Sequence, residues 1–128
     1  MVLAALDHGK YRYQKHQNIG KRFGALGRHL VDLVVATPDD ITFLVSLKWQ
    51  QTSGTAEQKV PFEVICLADA VRNSAGAYSR AYLVLGGAGW TLKQFYVSGA
   101  LNEYMRDVES VTILEFDDFV GRANRRKL

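Results

Sequence analysis

Cysteine is almost absent. Cys66 is the one thiol in 128 residues, so no disulfide can form within the chain, and its setting in VICLADAV reads as a small buried hydrophobe. Proline occurs twice, at Pro38 and Pro61, and no repeat, low-complexity tract or Pro/Gly/Ser linker interrupts the sequence. Long apolar runs are missing as well. MVLAAL stops at Asp7, too short for a signal-peptide core, and nothing approaches the ~20 apolar residues of a membrane span. The expectation is a soluble, cytoplasmic protein with no membrane partner. His8, His16 and His29 lack metal-ligand spacing and read as solvated or phosphate-touching. The run Leu85-Gly86-Gly87-Ala88-Gly89-Trp90 contains G-x-G without a dinucleotide fingerprint or P-loop lysine, which leaves a strand-to-helix turn with Thr91 as candidate N-cap. The six tyrosines show no regular interleaving of a stacking platform and read as core or core-edge residues.

What is present is an ordinary globular balance, with 48% hydrophobic, 11% aromatic and 23% charged residues, enough for one domain over residues 1–128 with its own core. The net charge of +3 hides a strong asymmetry. Residues 1–28 carry six cations (Lys10, Arg12, Lys15, Lys21, Arg22, Arg28) against Asp7 alone, and residues 122–128 carry Arg122, Arg125, Arg126 and Lys127 with no acid. Residues 29–121 hold twelve acidic and six basic side chains. Two basic ends around an acidic centre fit a chain whose ends meet phosphates and whose centre holds carboxylates for another purpose.

Residues 13–27, YQKHQNIGKRFGALG, are expected to form a helix weakened and ended by Gly20, Gly24 and Gly27. HLVDLVVA and ITFLVSLKWQQ read as two strands joined in a hairpin by the turn TPDD, whose paired Asp39 and Asp40 are turn residues. A helix follows over TAEQKVPFEVICLADAVRN, with Val60, Val64, Leu67 and Val71 as its apolar stripe and its regular part starting close to Pro61. RAYLVLGGAGW is a buried strand and TLKQFYVSGALNEYMRD one or two helical turns broken at Ser98-Gly99. VESVTILEF is a last strand, and DDFVGRANRRKL a terminal helix. Helix, two strands, helix, strand, helix, strand, helix predicts an α/β sandwich around a mixed sheet.

Alternation places Ser46, Lys48 and Gln50 on one face of their strand and Val45, Leu47 and Trp49 on the other. On the preceding strand Asp32 is embedded among Leu30, Val31, Leu33, Val34 and Val35, where an unpaired carboxylate is costly to desolvate. A turn at Pro38-Asp39-Asp40 puts position 32 about opposite 46–47, bringing Asp32 alongside Ser46 and Lys48. One reading is a partly buried Asp32–Lys48 ion pair. The other is a hard-cation site built on Asp32, a second carboxylate and a strand carbonyl, with Lys48 acting on water and on developing phosphate charge; buried ion pairs seldom improve on apolar packing, which favours the second.

Asp32, the hairpin turn and Ser46-Leu47-Lys48 resemble the PD-(D/E)XK nuclease superfamily over roughly residues 13–86. The resemblance implies a restriction endonuclease-like three-layer sandwich, a Mg²⁺ cofactor (Mn²⁺ as alternative), a DNA partner and a homodimer or higher homo-oligomer. It implies metal ligation by Asp32, a helix glutamate and the Leu47 carbonyl, and catalysis by Lys48. Val31 stands where the motif has proline and Ser46 where it has an acid, and a hydroxyl cannot replace a carboxylate on the metal. Some members with Ser-x-Lys take the acid from the next helix, about a dozen residues later. Glu63, with 14 residues between it and Lys48, fits that spacing, whereas Glu57, with 8 between, fits the helix phase of Val60 and Val64. Gln50 shares the Lys48 face and is a candidate for holding water or phosphate. Lys10, Arg12, Lys15, Lys21, Arg22, Arg125, Arg126 and Lys127 are the candidate DNA contacts. The implied activity is phosphodiester hydrolysis by a DNA endonuclease of restriction or repair type; the alternative is an inactive DNA-binding module in which Ser46 marks lost catalysis.

Overall fold

The computed structural model describes residues 1–22 and 27–128. Elements follow in the order α1 (Val2–His8), β1 (Arg12–Lys21), β2 (Arg28–Ala36), β3 (Thr42–Trp49), α2 (Ala56–Arg72), β4 (Arg80–Gly86), α3 (Lys93–Val97), a 3₁₀ turn (Ala100–Glu103), β5 (Val111–Glu115) and α4 (Phe116–Asn124). The five strands form one sheet in sequence order, antiparallel from β1 to β3 and parallel from β3 to β5. α2, α3 and the 3₁₀ turn cover one face through Val60, Val64, Leu67, Tyr96 and Leu101, and α1 and α4 cover the other through Leu6, Phe119 and Ala123. This is the expected three-layer α/β sandwich around a mixed sheet.

One element differs outright. The expected helix over residues 13–27 is strand β1 as far as Lys21, and residues 23–26, including Gly24, lie outside the described residues. As an edge strand it buries little: Tyr13, Gln17 and Ile19 are half-buried and the other seven residues exposed, so it carries no apolar alternation to read. The first helix is instead Val2–His8, in the apolar MVLAAL, packed on α4. α2 also starts earlier than Pro61 allows by itself. Pro61 has no N–H for the Glu57 carbonyl, and the Tyr96 hydroxyl donates to that carbonyl instead at 2.7 Å, so the helix runs unbroken from Ala56.

The β2–β3 turn closes as Pro38-Asp39-Asp40 predicts, with Thr37 N–H donating to Ile41 O at 2.9 Å and Asp40 left-handed at φ 64. The glycine run after β4 serves close approach. A Cβ on Gly87 would lie 2.3 Å from Gln50 O and one on Gly89 2.5 Å from the Thr52 backbone.

Candidate nuclease site

β2 and β3 pair from Ala36↔Thr42 to Leu33↔Val45 and then part. In a continued ladder the Leu47 N–H would meet main chain of β2; instead it donates to Asp32 Oδ2 at 2.6 Å. A carboxylate thus takes the place of a backbone acceptor at the fork, and the otherwise costly Asp32 is satisfied. Lys48 lies one residue further on, on the face where Leu44 packs against α2.

From α2, Glu63 reaches the same place. It lies on the buried side of the helix with Val60, Val64 and Leu67 and is 7% exposed. Its Oε2 is 3.6 Å from Lys48 Nζ, and its Oε1 is 2.9 Å from Nε2 of His29, a histidine 3% exposed at the start of β2. Burial pushes the Glu63 carboxyl up, but the His29 hydrogen bond and the charges of Lys48, His29 and Arg22 outweigh it and hold it below its usual value. Glu63 is therefore an anion at neutral pH with cations around it. Behind His29, Lys21, Arg22, Cys66 and Asp69 line a cavity of about 210 Å³. Cys66 is buried, and desolvation raises its thiol pKa.

Several expectations change. Asp32 and Lys48 form no ion pair among the described residues; Lys48 pairs with Glu63 and Asp32 with an amide. Glu63, and not Glu57 alone, sits on the buried side of α2 with Val60 and Val64. Glu57 is equally buried but is turned to the β4–α3 turn, where it accepts from the Thr91 N–H, from Thr91 Oγ1 at 2.6 Å and from the Leu92 N–H at 2.9 Å. The Thr91 hydroxyl, ahead of the Leu92 amide, lowers its pKa. With both oxygens occupied there, Glu57 is a brace between α2 and α3. Gln50 is another brace: its side chain donates to Gly89 O at 2.8 Å and accepts from Ala56 N–H at 3.1 Å. Ser46 is buried on β3, 4% exposed.

The basic candidates divide. Lys21 and Arg22 border the His29 cavity. Arg12 pairs with Asp40 at the hairpin turn, and Lys10 and Lys15 are exposed along the same edge. Arg125, Arg126 and Lys127 are exposed just before Leu128, whose carbonyl takes Arg80 Nη2 at 2.8 Å and whose N–H donates to Tyr11 Oη at 3.3 Å. Arg80 is opposite Phe43, five positions before Lys48, so this tail lies roughly 16 Å of strand away from it. His29, read from the sequence as solvated or phosphate-touching, is instead buried against Glu63. Its signal was a histidine leading an apolar strand, and its partner is 34 residues on.

The family model described as PD-(D/E)XK nuclease superfamily domain matches residues 2–127. The chain belongs to the PD-(D/E)XK nuclease superfamily. The match extends beyond residues 13–86 to take in α1 and α4, so the second covered sheet face is part of the PD-(D/E)XK domain here. A crystal structure of a protein of unknown function, AF1548, is similar in fold, with a TM-score of 0.53 at 7% identity over 91% of this chain and 55% of that one. The chain thus spans about half the length of that protein. No curated protein matches it. Among the described residues no helix is long and apolar enough to cross a membrane.

Proposed function

We propose that this PD-(D/E)XK protein is a DNA endonuclease dependent on Mg²⁺, or alternatively Mn²⁺, acting as a homodimer because one site per chain cuts one strand. The observation that carries this is the Lys48–Glu63 contact of 3.6 Å beside the fork where Asp32 holds the Leu47 amide. The Asp32 and Glu63 carboxylates and the Leu47 carbonyl are hard oxygen donors, the set a hard divalent cation takes when it keeps some of its waters. A bound cation supplies the charge that polarises a phosphodiester and makes water nucleophilic near neutral pH. Lys48, its side chain 31% exposed and tethered by Glu63, is reachable from solvent to orient that water and offset charge developing on the phosphate. His29 fixes the Glu63 carboxylate from the buried side. Lys21 and Arg22, which border the His29 cavity, are the candidates to meet flanking phosphates, and among the described residues the buried Arg22 Nε has no hydrogen-bond partner.

Nicking of supercoiled plasmid with Mg²⁺ and with chelator tests the reading. Cleavage is expected with the metal alone, and Lys48→Ala should lower it by about 10²-fold or more while DNA binding and melting temperature stay near wild type. Chelator-insensitive DNA binding with no nicking in either metal would instead mark an inactive module.

A second reading has an observation of its own. Both Glu63 oxygens already have partners, which fits a residue that holds Lys48 while Asp32 alone meets the cation. A metal titration separates the two. Glu63→Gln should raise the Mg²⁺ concentration needed for half-maximal rate if Glu63 is a ligand, and lower the rate at unchanged metal dependence if it only holds Lys48.

A further inference from the structure

In a regular strand, residues two apart share a face, yet Val31 packs in the core under α2 whereas Leu33 packs in the core under α1 and α4. The alternation of β2 therefore reverses at Asp32. Its neighbour does the same: Tyr13 of β1 packs toward α1 and α4, and Ile19 toward α2. Pairing passes from Lys15↔Leu33 to Gln17↔Val31 in unchanged register, with no bridge between His16 and Asp32. Between Tyr13 and Ile19 the one described residue with positive φ is His16, at 53°.

Two paired strands can exchange faces without losing register only if both do so at the same pair, and a left-handed residue supplies the reversal on one side. We propose that His16 is a positioning residue: its left-handed backbone, opposite Asp32, lifts Asp32 out of the pleat so that its carboxylate lies in the plane of the sheet against the Leu47 amide. Its exposed side chain needs no contact of its own for this. Histidine adopts this conformation more readily than most residues, glycine adopts it freely, and a β-branched residue is a severe outlier there.

The functional half of the inference rests on the role proposed for Asp32, so the test reads the geometry apart from the chemistry. In His16→Gly, His16→Ala and His16→Val, hydrogen exchange of the Leu47 amide is followed by NMR beside Mg²⁺-dependent nicking. His16→Gly should keep both at wild-type level. His16→Val should exchange Leu47 about tenfold faster or more, the equivalent of the left-handed penalty, and lose nicking in step. If the valine variant does not fold, His16→Ala is read in its place, with a smaller change of the same sign. Leu47 exchange equal in the glycine variant and in the side-chain-bearing variant would overturn the proposal. A wild-type chain that never nicks DNA overturns the nuclease reading and leaves the amide measurement to decide the role of His16.

Discussion

Glu63 is one buried carboxylate that faces His29 and Lys48 together, so a change there reads the proposed chemistry and the stability of the site at once. An amide keeps its shape but not its charge, so Glu63→Gln should cut metal-dependent nicking severely. Adding Ser46→Glu restores a carboxylate on β3 and should recover part of it. Glu57→Gln should leave nicking near wild type, since Glu57 is committed to Thr91 and Leu92; nicking assays on the three variants check this. The pH dependence has a definite sign. The Glu63 carboxyl lies below its ordinary 4.5 when folded, so the unfolded chain binds more protons as acid is added. Its stabilisation is complete above about pH 4.5 and fades as the pH falls further. The melting-temperature gap between wild type and Glu63→Gln should hold steady across about pH 5 to 7 and narrow below that window. At this scale Asp32, Lys48 and Glu63 stood out in the sequence because each is a charge among apolar neighbours at strand or helix spacing. His29 did not, because its reason for burial is a contact between elements far apart in the chain.

Elements built on apolar periodicity were legible, and those shaped by a single tertiary bond were not. β2, β3 and β4 announce themselves by apolar, β-branched runs and α4 by its acidic first turn, whereas β1 is polar along most of its length and its pairing with β2, not propensity, decides its conformation. The early start of α2 depends likewise on one hydroxyl. Tyr96→Phe leaves the Glu57 carbonyl without a donor and should cost about 1–2 kcal/mol, seen as a lower chemical-denaturation midpoint and fraying of the first turn of α2. Pro61→Ala gives that carbonyl an N–H at the usual helical spacing. The double variant should therefore regain most of the loss, and thermal and denaturant melts of the four-member cycle check it.

For the whole molecule, the placement of charge matters more than its sum. Lys21 and Arg22 border the cavity behind His29, while Arg125 and Arg126 lie toward the opposite end of β3 and β4. Replacing Lys21 and Arg22 by alanine should flatten the salt dependence of DNA affinity by about two in log–log slope, and the same change at Arg125 and Arg126 by clearly less. Binding isotherms over a salt series measure both. The asymmetry of the two basic ends was plain in the sequence, but which end stands near Lys48 depends on the sheet and was not. The left-handed backbone at His16 also bears on how copies of the chain meet. β1 is an outer strand, and its free edge is broken by left-handed backbone at His16 and Gly20 and studded with Lys15, Lys21 and Arg12. Such an edge is a poor template for another strand, so the sheet resists growing by edge-to-edge addition. A valine at position 16 should straighten part of that edge, so the variant should self-associate more readily than wild type, which light scattering at matched concentration checks.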